Sequence, residues 1–150
     1  ICASGLRVSE IKYVTLEAVR SRQAKIKCKG KIRQILLPDN LCRILLKYAK
    51  KKGIKSGVIF TTRSGRPLDR TNIWSEMKKL CKIANVSPEK VFPHNLRHLF
   101  ARTFYSVQKD IVHLSDILGH SSVNTTRIYT MENGERHRRQ IQKLGLVMLM

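Results

Sequence analysis

Apolar and polar residues alternate in two short stretches of the chain, Ala24 to Cys28 and Ile32 to Leu37. Such alternation is typical of strands with one buried face, and the segment Lys29-Gly30-Lys31 between them predicts the turn of a β-hairpin. Three lysines share one face of the first strand: Lys25, Lys27 and Lys29. Because successive side chains of a strand point to opposite faces, we expect this face of the hairpin to be basic.

Apolar residues spaced by three and four positions predict helices in most of the remaining chain. Before the hairpin, Arg7 to Val14 is interpreted as a short helix with Val8 and Ile11 in the core. After the hairpin, a helix opens at Pro38-Asp39 and has this apolar stripe: Leu41, Ile44, Leu45, Tyr48 and Ala49. A short strand is predicted next, over Val58 to Thr61.

Three longer helices are predicted in the second half of the chain. The first, capped by Asp69 or Thr71, has the core stripe Ile73, Trp74, Met77, Leu80, Cys81 and Ala84. The second opens at Pro93 and has the core stripe Leu96, Leu99, Phe100, Thr103 and Phe104. The third runs from Asp110 to Leu118 and ends at Gly119. The pattern predicts an α+β fold that is mainly helical, with a small antiparallel β-sheet.

The length of 150 residues fits one domain, and an apolar content of 42% is enough for an ordinary core. The chain begins at Ile1 rather than at Met, inside a segment that already carries a motif. We therefore interpret it as a fragment of a longer protein.

The charge balance indicates the kind of partner. Thirty Lys and Arg against ten Asp and Glu give a formal net charge of +20, which favours binding to a polyanion, nucleic acid first. The alternative is a generally basic surface without a dedicated partner. A membrane role is disfavoured, because the chain has no run of about 18 apolar residues and its basic residues are scattered.

The cysteines suggest neither a zinc site nor a disulfide framework, because they lie far apart and form no Cys-x-x-Cys pair. They are Cys2, Cys28, Cys42 and Cys81. We interpret them as small buried residues in a reducing cytosol.

The residues that can carry chemistry are concentrated towards the C-terminus. They occur in His94-Asn95-Leu96-Arg97-His98, in Leu118-Gly119-His120 and at Tyr129. His94 and Arg97 are three residues apart, so on a helix they lie on one face and can touch the same phosphate. The phenol of Tyr129 is a candidate nucleophile.

Together with the start of the chain, these motifs resemble the catalytic domain of the tyrosine recombinases, the phage integrase family. Ser4-Gly5-Leu6-Arg7-Val8-Ser9-Glu10 is similar to the first arginine box of that family, and Lys29 is similar to its hairpin lysine. The segment from His94 to His98 is similar to the second box. His120 and Tyr129, nine residues apart, follow in the expected order. Five motifs in the correct order make the resemblance specific.

The resemblance implies an enzyme that cuts and rejoins DNA through a 3′-phosphotyrosyl intermediate, as in the integration or excision of mobile DNA. Its implied catalytic residues are Arg7, Lys29, His94, Arg97, His120 and Tyr129, supported by Glu10 and His98. Tyr129 would attack the phosphorus, the arginines would hold the negative charge, and Lys29 would protonate the leaving 5′ hydroxyl. No metal or other cofactor is implied.

The resemblance also implies partners and a cellular setting. The substrate would be double-stranded DNA, bound by a homotetramer in the bacterial cytoplasm at the nucleoid, with no membrane. The apolar end of the chain, residues 144 to 150, either closes the core of its own domain or docks in trans on a neighbouring protomer, and we favour docking. The family's DNA-clamping domain and the start of its catalytic domain would precede residue 1.

Three alternatives stay open at this point. A type IB topoisomerase uses the same chemistry to relax supercoils, although the Gly-Leu-Arg and Leu-Gly-His elements resemble recombinases more. A basic DNA-binding or RNA-binding protein without enzymatic activity would not need Tyr129. Within the hairpin, Lys27 and Lys31 compete with Lys29, because strand register can slip by two residues.

Overall fold

The computed structural model of the chain describes residues 1–28, 31–120 and 122–128. A short 3-10 helix, Val8–Tyr13, precedes the following elements: α1 (Leu16–Arg20), β1 (Gln23–Cys28), β2 (Lys31–Leu36), α2 (Asp39–Lys51), α3 (Arg70–Ile83), a 3-10 turn (Pro88–Lys90), α4 (Pro93–Gln108), α5 (Ile111–Leu118) and α6 (Asn124–Arg127). This architecture, mainly helical with one two-stranded antiparallel sheet in the described residues, confirms the predicted fold class. None of the helices in these ranges is both long and apolar enough to cross a membrane.

The hairpin forms as its alternation predicts. Strands β1 and β2 are antiparallel, with Ala24 opposite Ile35 and Ile26 opposite Arg33 on the inner face. Ala24, Ile26 and Ile35 are buried, whereas Lys25 and Lys27 lie exposed on the outer face. The prediction of a basic outer face is confirmed for these two lysines, and Lys29 lies outside the described residues.

The described core has two parts, one beneath the hairpin and one between α4 and α5. The first contains Leu6, Val14, Val19, Ile26, Ile35, Leu37, Cys42, Leu45 and Ile59. The second contains Ala101, Leu114 and Leu118, with three aromatic residues of α4 packed beside them. The 3-10 helix and the loop before it lie between these two parts, because Leu6 packs in the first and Gly5 contacts Phe100 at the edge of the second.

In the first half of the chain, the buried face of two elements differs from the prediction. Val8 and Ile11 are only half buried, and Glu10 is the buried residue of the 3-10 helix, because it accepts hydrogen bonds there. On α2, Leu45 and Ala49 are buried as predicted, but Ile44 and Tyr48 are 64% and 38% exposed, because Cys42 packs inward beside Leu45 and Ala49.

The predicted strand over Val58 to Thr61 is wrong, because these residues form only the isolated bridges Thr15 to Val58 and Thr61 to Pro67. The predicted burial of Cys2 is also wrong, since this residue is exposed.

Helices α3 and α4 bury less of their predicted stripes. On α3 only Cys81 is buried, and Trp74 and Leu80 are 49% and 61% exposed. On α4 the predicted core residue Leu99 is exposed, and Pro93, Arg97 and Ala101 are buried. Phe100 and Phe104 pack against the second part of the core as predicted, and Arg97 is buried because its guanidinium donates to backbone carbonyls inside the protein.

Gly5 provides a test of the packing that joins the two parts of the core. Its φ is +64°, and an added Cβ would lie 2.7 Å from Cδ1 of Phe100. Gly53 is the matched control, because its φ is +68° but nothing lies within 4 Å of its Cβ position. Both Gly→Ala variants pay a left-handed backbone cost of about 1–2 kcal/mol. Gly5→Ala should lose about 1–3 kcal/mol more to the overlap.

Urea denaturation of the two variants measures the difference in the free energy of unfolding. Equal losses at Gly5 and Gly53 would contradict the tight contact with Phe100.

Candidate active site

The predicted site residues that the structure describes come together where three segments meet. Arg7 precedes the 3-10 helix, His94 and Arg97 lie on the first two turns of α4, and His120 follows the end of α5. Pro93 at the first position of α4 has a φ suited to helix initiation. Gly119 ends α5 with a φ of +62°, which turns the chain so that His120 reaches Arg97.

Arg97 lies at the base of the cluster and is only 3% exposed. One of its Nη atoms donates to the carbonyl of Gly5, and the other donates to the carbonyl of Leu118 at 2.7 Å. The second also lies 3.1 Å from Nε2 of His120. A buried cation is costly unless it is hydrogen-bonded, and these carbonyls supply the acceptors.

Arg7 lies nearer the surface, with 41% of its side chain exposed. Its Nη1 forms an ion pair with Oε1 of Glu10 at 2.9 Å, and its Nη2 donates to the carbonyl of Gly119 at 3.1 Å. The backbone N–H of Arg7 donates to Oε2 of Glu10 at 2.7 Å. Glu10, itself 6% exposed, therefore fixes both the backbone and the guanidinium of Arg7.

His120 is held from both sides of its ring. Nε2 faces Arg97, and Nδ1 lies 2.8 Å from Oγ1 of Thr126 on α6. Burial, followed in order of size by the charges of Arg97, Arg7, Arg33 and His94, lowers the pKa of His120 to about 4. Its ring is therefore neutral at pH 7. Because a guanidinium only donates, Nε2 accepts from Arg97 and Nδ1–H donates to Thr126.

The two histidines of the second box, His94 and His98, lie against each other. The rings of His94 and His98 are 4.2 Å apart, edge to face. His94 is exposed at the start of α4, whereas His98 is half buried. Burial lowers the pKa of His98, and the neighbouring His94, Arg102 and Arg97 add to that effect.

Two open grooves of about 970 and 580 Å³ meet at this cluster, and Arg7 and His120 line both. The larger groove runs along the hairpin past Glu10, Lys27 and Arg33. The smaller lies beside α3 and the start of α4; its lining includes Arg70, Trp74, His94 and Arg97. A phosphate at the junction would be reachable from Arg7 and His120 together.

Two residues of the cluster were not predicted from the sequence. Arg33 of β2 forms an ion pair with Glu10 at 2.5 Å and donates to carbonyls at the end of α5. Its signal in the sequence was a charged residue at an inward position of an alternating strand. Thr126, fully buried, holds Nδ1 of His120. No local pattern marks a threonine for that contact.

Two predicted catalytic residues, Lys29 and Tyr129, lie outside the described residues, as does the apolar end of the chain. Lys29 directly follows β1, and Tyr129 comes three residues after Thr126. Their roles therefore stay predictions.

Comparisons with known proteins agree on one family. The phage integrase family matches residues 1–136. The chain is 32% identical over 144 residues to tyrosine recombinase XerD of Xanthomonas campestris pv. campestris, covering 86% of this chain and 45% of that protein. It is 33% identical over 136 residues to tyrosine recombinase XerH of Campylobacter jejuni, covering 87% of this chain and 38% of that protein. The chain thus spans less than half the length of these curated relatives.

Solved structures share the fold. The crystal structure of XerA recombinase superposes with a TM-score of 0.74 at 25% identity, over 99% of this chain and 56% of that one. XerH site-specific recombinase bound to difH substrate, in a pre-cleavage complex, gives a TM-score of 0.65 at 27% identity, over 79% of this chain and 36% of that one.

The lowered pKa of His120 predicts a pH dependence of stability. Between pH 6.5 and about 4 the unfolded chain binds a proton at this ring that the folded chain does not bind. Stability therefore falls as the pH drops through this window. His120→Gln removes the titrating ring and should therefore lose less stability on acidification. The amide of glutamine can still bond to Arg97 and Thr126, so the variant keeps contacts with both residues.

Urea denaturation of both proteins from pH 7.5 to pH 4 tests this expectation. The other titrating groups are common to both, so the difference in slope reports His120. Identical slopes would show that the ring is not held neutral.

Proposed function

The chain belongs to the phage integrase family, and we propose that it forms the catalytic part of a site-specific recombinase that cuts and rejoins double-stranded DNA. One observation carries the proposal: Arg7, Arg97 and His120, from three distant segments, converge at the end of α5 beside two open grooves. Fixed donors around a site for a phosphate suit a reaction in which negative charge grows on the phosphoryl oxygens.

In the proposed reaction, the oxygen of Tyr129 attacks the phosphorus and loses its proton. A bond forms between that oxygen and phosphorus, and the bond between phosphorus and the 5′ oxygen breaks. The 5′ oxygen leaves with a proton from Lys29, and the product is a 3′-phosphotyrosyl link. The reverse attack by a 5′ hydroxyl rejoins the strand, so no external energy source or cofactor is required.

The arginines divide their tasks by exposure. Arg7 keeps much of its side chain accessible from the grooves and is therefore suited to touch a nonbridging oxygen. Arg97, which is buried, places positive charge beneath the same point. His94, exposed on the first turn of α4, is the candidate base that accepts the proton of Tyr129.

His120 changes its role when DNA binds. In the structure Nε2 accepts from Arg97, so the ring cannot donate from that atom. A phosphate placed against the ring adds negative charge, which favours the protonated imidazole. The protonated ring then donates from Nε2 to a phosphoryl oxygen while Nδ1–H stays on Thr126.

The assembly that we propose is the one that the resemblance to the family implies. XerH was solved on difH substrate, which supports DNA as the substrate of this chain as well. We propose a homotetramer on two DNA sites, with the apolar C-terminal segment docking in trans on a neighbouring protomer. The net charge of +20 supports a large contact with DNA phosphates.

The central test is a covalent adduct. The protein is mixed with a nicked suicide DNA substrate, denatured and examined for DNA that stays attached. Tyr129→Phe removes the nucleophilic oxygen and should abolish the adduct completely. Tyr48→Phe, which removes the hydroxyl of a tyrosine on α2 that packs beside Phe60 and lines neither groove, is the matched control and should leave the adduct unchanged.

Adduct formation by Tyr129→Phe would overturn the assignment. Loss of the adduct in both variants would make a specific role for Tyr129 untenable. An unmodified protein that binds DNA without any adduct would favour a binding protein without enzymatic activity.

The role of Lys29 predicts a dependence on the leaving group. Lys29→Ala should slow cleavage of an ordinary DNA strand by about 10²-fold or more, as expected for loss of a general acid. A strand with sulfur at the bridging 5′ position should be spared, because a thiol, with a pKa of about 8.5, leaves without a proton. Cleavage rates on both substrates measure the effect.

Lys25→Ala is the control, since it removes an exposed lysine of β1 that lies four residues before Lys29 in the sequence. It should affect both substrates equally, if at all. An equal loss on both substrates for Lys29→Ala would mean that Lys29 only contacts a phosphate.

A further inference from the structure

Arg33 occupies an unusual place in the hairpin. It pairs across the sheet with Ile26, so its side chain points to the inner face, next to Ala24 and Ile35, which are buried. The side chain is 15% exposed. An arginine on an apolar face is costly unless its donors find acceptors. The contacts that supply acceptors to its guanidinium therefore explain why Arg33 lies on the inner face.

Those contacts join three segments. Nη2 of Arg33 forms an ion pair with Oε2 of Glu10 at 2.5 Å, in the 3-10 helix that follows Arg7. Its Nη1 donates to the carbonyl of Ile117 at 3.1 Å and to that of Leu118. These carbonyls end α5 immediately before Gly119 and His120. One side chain of β2 thus holds both halves of the cluster.

The end of α5 leaves room for this side chain. An added Cβ at Gly119 would lie 2.2 Å from Cδ of Arg33, so only glycine fits there while Arg33 is in place. The carbonyls at a helix C-terminus also carry partial negative charge, which stabilises a cation. Backbone shape and electrostatics therefore support the same contact.

We propose that Arg33 is a positioning residue that anchors the hairpin to Glu10 and to the end of α5, and thereby sets where Lys29 delivers its proton. Arg33 lies four residues after Lys29 in the same hairpin. Without the anchor, β2 would lose its fixed distance to His120, and its ladder to β1 would open more often. The inference rests on the proposed function, because it assumes that Lys29 protonates the leaving oxygen.

The test uses the two substrates described for Lys29. Arg33→Gln should slow cleavage of the ordinary strand by about 10²-fold, the usual cost of a misplacement near 1 Å. It should slow cleavage of the strand with the bridging sulfur much less, because that strand needs no proton and Arg7 and His120 keep their bonds to Glu10, Arg97 and Thr126. Arg22→Gln is the matched control, because Arg22 forms an exposed ion pair with Asp39 at the other end of the hairpin and should leave both rates unchanged.

Two further variants make the result specific. In a Lys29→Ala background, adding Arg33→Gln should change the ordinary rate by no more than about twofold, because both act on one step. Arg33→Lys keeps a charge for Glu10 but cannot also bridge two carbonyls. It should therefore slow cleavage of the ordinary strand more than that of the sulfur strand, but by a smaller factor than Arg33→Gln. It also replaces the glutamine variant if that protein does not fold.

Hydrogen exchange reads the anchor without any reaction. In Arg33→Gln the amides of β2 should exchange faster than in the parent, whereas those of α2 should not change. Unchanged exchange in β2, or equal loss of cleavage on both substrates, would overturn the inference. A parent protein that forms no adduct would instead overturn the proposed function, and the exchange result would still decide whether Arg33 anchors the hairpin.

Discussion

The cluster depends on the backbone carbonyls at the C-terminal end of one short helix, α5. The amides of Gly119 and His120 bond back to Asp116 and Ser115, and the next three carbonyls, of residues 117 to 119, accept from arginines. Those arginines are Arg33, Arg97 and Arg7. A helix C-terminus always leaves carbonyls without internal partners, and cations are favoured there. In this chain, that general need brings three guanidinium groups from distant segments to one point.

This origin of the cluster explains how so much positive charge can be tolerated. Guanidinium groups repel one another, and in the described residues Glu10 is the one carboxylate that forms ion pairs with two of them. The carbonyls supply the remaining acceptors, so the arginines are positioned before any ligand arrives. Preorganised donors of this kind lose little to reorganisation when negative charge develops between them. Burial, together with the charges of these arginines, lowers the pKa of His120 to about 4 and keeps its ring neutral at pH 7.

The sequence predicted those parts of the structure whose signals are local. The hairpin followed from alternation at period two, and α4 and α5 from Pro93 and Gly119 at their ends. The buried faces of the helices were less predictable, because they depend on which other elements each helix packs against. Ile44 had the spacing of a core residue, but Cys42 is buried on α2 and Ile44 is not. On α4, Arg97 is buried because its guanidinium donates to backbone carbonyls. Arg33 could not be assigned, since its partner carbonyls lie 84 and 85 residues away.

The motif residues were predicted as a set, although no single one carried enough information. The sequence could not show that Glu10 links Arg7 to Arg33. Its two carboxylate oxygens hold Arg7 and Arg33, so a change in the hairpin alters the acceptor shared with the first box. Effects of substitutions at these three residues should therefore not add independently.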